Sequence, residues 1–263
     1  MIVGPNDPTR LVLLVTACVL LSSLEALVPL FHYRRGRLRR AVPNLVLALG
    51  VVLTNLAFAS AMASLSAMVM HERLGLLARW HWSPWLQLVL GIAGLDLFAY
   101  VAHLLLHKIA VGWKFHRVHH SELEVDVTTA FRQHPGETLW RLLWQLLAII
   151  FFGLPFWIVP VYLSLSSLNA LLEHANVRIA ENADRILRWL LVTPNMHKVH
   201  HSRCVVETDS NYSNIFSVWD RLFGTYKART NYQTLRYGLD GFDEEDTQTL
   251  ARLIREPFRS STS

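Results

Sequence analysis

Residues 85–120 read WLQLVLGIAGLDLFAYVAHLLLHKIAVGWKFHRVHH. From Trp85 to Ile109 the run is apolar and exceeds the roughly 20 residues that a helix needs to cross a bilayer. Its inner end carries His103 and His107, four apart, and a short polar segment then carries His116, His119 and His120. Residues three or four apart share one face of a helix, so each cluster presents its imidazoles together. Far downstream the second spacing recurs as His197, His200 and His201. Eight of the thirteen histidines thus fall into three clusters. Imidazole is the commonest metal ligand and suits Fe, Cu, Zn and Ni. Three such clusters exceed what one ion uses, so the pattern predicts two metals at a membrane.

The composition agrees with this reading. Of 263 residues, 52% are hydrophobic and only 17% are charged, against roughly 25% charged in ordinary soluble chains. Nine tryptophans fit the membrane–water boundary. The net charge of +5 lies in arginines beside apolar runs rather than in a stripe, which argues against nucleic acid as a partner. Cys18 and Cys204 sit in unlike settings and read as ordinary reduced thiols.

The apolar run Leu11–Phe31 predicts a retained spanning helix rather than a cleaved leader, because its positive charge follows it. Arg34, Arg35, Arg37, Arg39 and Arg40 then place the next loop in the cytoplasm and the N-terminus outside. A second run, Ala41–Met70, crosses outward, and Trp85–Ile109 returns. Leu139–Leu172 is too long for one upright helix, and Gly153-Leu154-Pro155 breaks it into a hairpin. Ile186–Val192 reads as a short interfacial helix, Asp243–Arg255 as a soluble helix, and Ser260–Ser263 as disordered. The arginine argument used no histidine, yet it delivers all three clusters and His174 to the cytoplasmic face. The boundaries expected are 1–110 for the spans with the first cluster, 111–138 for a cap segment with the second, 139–175 for the hairpin, and 176–263 for a cap with the third.

No carboxylate lies within the clusters, which favours borderline ions such as iron or zinc over Mg²⁺ or Ca²⁺. Two irons can activate O2 as co-substrate, and a site at the bilayer surface implies a membrane lipid substrate. Neither GxGxxG nor CxxCH occurs, so electrons must come from a separate reductase or electron-transfer protein. A zinc-dependent membrane hydrolase or lyase is the alternative, though its usual general base is missing from the clusters. A non-catalytic metal-binding membrane protein is the third reading.

The order of the three clusters resembles the membrane fatty acid hydroxylase / sterol desaturase superfamily. Further stretches are similar to its landmarks: Phe131-Arg132-Gln133-His134-Pro135 with Glu137, Glu173-His174-Ala175-Asn176, Thr193-Pro194-Asn195-Met196, Asp209-Ser210-Asn211-Tyr212 and Trp219–Tyr226. The resemblance runs from about Asp96 to Tyr226, and departs where Ser213 stands in place of a usual glycine. It implies an all-α integral membrane fold of about four spanning or hairpin segments, topped by a cytosolic helical cap holding a histidine-rich dimetal site. It implies a di-iron oxidoreductase that hydroxylates or desaturates a lipid, with His103, His107, His116, His119, His120, His174, His197, His200 and His201 as ligands. His134 is a further possible ligand.

Asp96, Tyr100, His103 and His107 form one helical stripe, and an acid inside a span is costly enough to be functional by default. Asp96 is expected either to support the metal site through hydrogen bonds, with Tyr100, or to pair with a neighbour and hold helices together. Asp209 and Asn211 are expected to hydrogen-bond ligating imidazoles.

Overall fold

The structure is a computed structural model and describes residues 8–33 and 36–259. Arg34, Arg35 and Ser260–Ser263 lie outside the described residues. Among the described residues the chain is helical without strands, and only isolated bridges such as Pro29 with Val177 occur.

Three helices are long and apolar enough to cross a membrane: α1 (Pro8–Leu27), α2 (Arg37–His71) and α3 (Pro84–Lys108). Leu11, Val19, Leu53 and Leu56 stand bare on their outer faces, as lipid-facing side chains do. Helix α1 stops short of the expected Phe31 because Pro29 has no N–H to continue it. The chain instead hands Leu30 N to the Asn176 carbonyl at 3.1 Å. Helix α2 has 35 residues, about 52 Å of helix against a hydrocarbon core of about 30 Å. Its first turns accordingly stand clear of the core, where buried Arg40 pairs with Glu124 at 2.7 Å and Asp126 at 2.9 Å.

The expected hairpin is α5 (Pro135–Phe152) and α6 (Ile158–His174). Helix α5 ends at Gly153 in the left-handed region (φ +67°), and a Cβ there would lie 2.3 Å from the Leu74 carbonyl. Gly75 (φ +84°) faces it, with room for no Cβ either. The α2–α3 loop is thereby pressed onto the hairpin tip, where Leu77 N bonds Phe152 O at 2.7 Å. Leu95, Leu142, Ile149, Ile158, Tyr162 and Met62 pack between these helices as one core.

The cap consists of α4 (Ala110–His120), a 3-10 turn at Val127–Phe131, and short helices α7 (Glu181–Leu187), α8 (Pro194–His200), α9 (Val205–Thr208), α10 (Val218–Leu222) and α11 (Leu250–Arg255). Two expectations are corrected here. Asp243–Arg255 is not one helix: a 3-10 turn at Glu245–Gln248 and an extended Thr249 precede α11. The cause is local competition, since Thr247 Oγ1 bonds the carbonyls of Phe242 and Glu244 and Gln248 reaches Ser121 O at 3.1 Å. The apolar patch 186–192 is not a helix throughout, because α7 ends at Leu187 and Leu191 bridges to Phe216.

Candidate metal centre

Three short devices bring the histidines together. Ile109, extended between α3 and α4, turns the chain so that α4 folds back over α3. Gly112 makes that elbow possible, since a Cβ there would sit 2.9 Å from Leu106 Cα. Thr193 and Pro194 start α8, the Thr193 hydroxyl accepting Met196 N at 3.3 Å. Helix α6 brings His174 in at its last residue.

Two groups of imidazole nitrogens result. His103, His107, His116, His120 and His200 form one, and His119, His174, His197 and His201 the other; within each, all donor atoms lie within 4.8 Å of one another. All nine sequence-expected histidines are therefore gathered. In the second group Nε2 of His174 lies 3.1 Å from that of His119, 3.0 Å from that of His197 and 3.2 Å from that of His201. In the first, His116 Nε2 lies 3.0 Å from His103 Nε2 and 3.1 Å from His120 Nε2. Two nitrogens at right angles around one ion, each about 2.1 Å away, stand about 3.0 Å apart.

The tautomers sharpen the case for cations. Nδ1 of His103, His119, His174 and His200 faces the carbonyls of Tyr212 (2.8 Å), Arg132 (3.2 Å), Ala170 (2.7 Å) and Ser210 (2.7 Å). A carbonyl only accepts, so each of these Nδ1 atoms carries the ring proton. Burial and neighbouring histidines hold the imidazoles of His116, His119, His120, His197, His200 and His201 well below their ordinary 6.5, hence neutral. The Nε2 atoms of His119 and His174 are then two bare lone pairs 3.1 Å apart, and no hydrogen bond can form between them. A metal ion satisfies both. A donor set of neutral imidazoles fits Fe, Zn, Cu or Ni, and the five-membered group exceeds a tetrahedral site.

The surroundings brace these rings. Glu137, fully buried at the start of α5, sets Oε1 3.0 Å from His116 Nδ1 and also pairs with Arg141 at 2.8 Å. Asp209 Oδ1 lies 3.4 Å from His107 Nδ1, and Lys108 Nζ holds its other oxygen at 2.7 Å. His107 and Lys108 keep the Asp209 carboxyl well below the usual range. Asp220 binds the backbone N–H of Tyr212 (2.7 Å) and Ser213 (2.9 Å), which fixes the carbonyl that meets His103. Ser213 takes its place without a left-handed backbone and accepts Asp220 N at 3.2 Å.

Other expected residues are placed differently. Asp96 is fully buried but touches no imidazole: it accepts Ile215 N (3.1 Å), Phe216 N (3.0 Å) and Trp219 Nε1 (2.9 Å). Tyr100 bonds Thr225 Oγ1 at 2.9 Å. Asn211 bonds the carbonyls of Met196 (3.0 Å) and Lys227 (2.8 Å) rather than a histidine. His134 lies in neither group. It caps α5, accepting Gly136 N at 3.0 Å, and its Nε2 meets Ile254 O at 3.1 Å. Sequence reasoning quoted Glu137 only as a landmark and gave it no role at the site, though an acid in the first turn of a mostly apolar helix was a signal. It also missed buried Arg132, which ties Val118 O, Ser121 and Gln248 together behind α4.

Curated relatives include ornithine lipid hydroxylase OlsE of Rhizobium tropici, 30% identical over 163 residues, covering 61% of this chain and 47% of that protein. Alkylglycerol monooxygenase of Xenopus tropicalis is 31% identical over 160 residues (60% and 33%), and that of Homo sapiens 31% over 159 (60% and 34%). The chain spans about a third to a half of the length of these relatives. No solved structure matches. The fatty acid hydroxylase profile matches residues 88–225, just over half of the chain and all nine gathered histidines. The protein is an integral membrane protein with three candidate spans, and it belongs to the fatty acid hydroxylase family.

Proposed function

We propose that this chain is an O2-dependent hydroxylase or desaturase of a membrane lipid, working with two iron ions. His103, His107, His116, His120 and His200 would hold one ion and His119, His174, His197 and His201 the other. Iron bound there would supply O2 activation and the oxidising power to attack an unactivated C–H bond. The chain's own residues fix the geometry. The carbonyls of Tyr212, Arg132, Ala170 and Ser210 set the tautomers that aim Nε2 inward. Glu137 and Asp209 orient His116 and His107 and offset cationic charge. Burial of the rings disfavours their charged form, so a metal would meet neutral imidazoles.

The observation that carries the reading is the pair of bare Nε2 lone pairs on His119 and His174. Relatives named as lipid hydroxylase and monooxygenase support the reaction class. Electrons would come from a separate reductase or carrier. The arginines opening α2 favour a cytoplasmic site with the N-terminus outside. We retain the division at 1–110, 111–138, 139–175 and 176–263 as working boundaries. The test is metal analysis of anaerobically purified protein, with O2 uptake and lipid mass spectrometry under reductant. Two irons per chain and a lipid gaining one oxygen or losing two hydrogens are expected. Zinc with no uptake under any donor would overturn the reading and favour the hydrolase or lyase.

A further inference from the structure

A chamber of about 250 Å³ lies between α1, α2, α5 and α6. It adjoins the metal centre, because its lining includes Ala102, next to His103, and Ala170, whose carbonyl meets His174. Its walls are mostly apolar, with a set of polar side chains placed among them. Arg10, Asn55, Thr138, Arg141 and Gln145 all line it. On α5 the polar face runs from Glu137 through Arg141 to Gln145, about 12 Å of helix leading away from His116.

Several of these groups lack partners. Thr138 is 4% exposed, and its hydroxyl bonds nothing. Gln145 Oε1 and Arg10 Nε are likewise buried without a hydrogen bond. Arg10 makes no ion pair among the described residues. Arg141 engages Glu137 through Nε and Nη2, both at 2.8 Å, which leaves Nη1 for the chamber. Glu137 offsets only one of the two guanidinium charges. A bare hydrocarbon chain or sterol ring in this space would leave every one of these donors unsatisfied, and buried unpaired polar groups are costly. An anionic oxygen group satisfies the donors among them, the two guanidinium groups and the Thr138 hydroxyl, since guanidinium recognises carboxylate and phosphate in the same forked geometry.

We infer that this chamber takes the anionic oxygen group, carboxylate or phosphate, of a lipid, held by Arg141 and Arg10 with the Thr138 hydroxyl donating to it. The inference rests on the lipid-modifying reading above and narrows its substrate to an anionic lipid whose polar end enters the bundle beside the metals. Helix α1 packs on α6 while α2 packs on α5, and the seam between them gives the lipid its lateral path from the bilayer.

The test is equilibrium binding to the full chain in neutral detergent, without O2 or reductant, using dioleoyl phosphatidic acid, oleate and dioleoylglycerol. The wild type should bind at least one anionic probe tenfold or more tighter than dioleoylglycerol, and which one separates phosphate from carboxylate. Arg10→Gln and Arg141→Gln should each weaken that probe fivefold or more and leave dioleoylglycerol unchanged. Because Arg141 also bonds Glu137, Arg10→Gln keeps the test independent of the metal centre, and metal content is measured in both. Equal binding of all three probes by the wild type, or an anion preference surviving in Arg10→Gln and Arg141→Gln alike, would overturn the proposal. Anion-selective binding without any lipid oxidation would overturn the hydroxylase reading and leave the lipid site standing.

Discussion

Replacing Asp96 by Asn tests how the cap is tied to the membrane helices. Asp96 sits on α3, and its three best donors, Ile215 N, Phe216 N and Trp219 Nε1, all belong to the segment that follows Tyr212. The better orientation of an amide keeps its oxygen on Phe216 N and Trp219 Nε1 and turns its NH2 against Ile215 N–H. One charge-assisted bond is lost, about 1.5–3 kcal/mol, and two lose their charge, about 1 kcal/mol each. The sum, about 3.5–5 kcal/mol, corresponds to a drop in Tm of roughly 7–20 °C for a chain of this size. The stretch just before that segment carries the Ser210 and Tyr212 carbonyls, which hold His200 and His103. Both belong to the five-histidine group, so Asp96→Asn should lower total metal content by loosening the rings of that group. Thermal unfolding in detergent with metal counting reads both effects. An Asp96→Asn protein with wild-type Tm and full metal content would refute the reasoning.

Gly153→Ala should destabilise the hairpin by at least about 2 kcal/mol, from left-handed strain plus the clash with Leu74 O, and should show as a lower Tm with little expressed protein. Acid should unfold the metal-free protein steeply. His116, His119, His120, His197, His200 and His201 are neutral when folded but protonate near 6.5 when unfolded, so the unfolded state binds more protons. Stability is therefore complete above about pH 6.5 and falls below it, by up to about 1.4 kcal/mol per pH unit for each histidine. Urea titrations of chelated protein from pH 8 to pH 5 check this, and a midpoint independent of pH would contradict it.

Much of this architecture was legible because membranes and metals leave blunt marks. Continuous apolar runs, a Gly-Leu-Pro break at residues 153–155 and histidines at helical spacing each have one physical reading. The hairpin follows from them directly. What resisted reading was support supplied by the backbone. Any residue offers a carbonyl, so nothing marked Ser210, Tyr212, Arg132 or Ala170 as the groups that set imidazole tautomers. Asn211 illustrates the opposite error. Its side chain suggested a histidine partner, but the residue sits at φ +53°, a left-handed position that Asn tolerates, and its amide bonds the chain on either side. In the tail, the charge pattern of Asp243–Arg255 suited a helix, and the hydroxyl and amide of Thr247 and Gln248 broke it.

The two histidine groups do not divide along the sequence. Helix α4 sends His116 and His120 to one and His119 to the other, while the α8 cluster sends His200 to the first and His197 and His201 to the second. Each of these two segments is a yoke spanning both groups. If each group holds an ion, filling one would align three of the donors of the other, so loading would be cooperative and the half-filled protein a minor species. Iron scarcity would then leave a mixture of empty and complete molecules, and catalytic capacity would scale with the complete fraction.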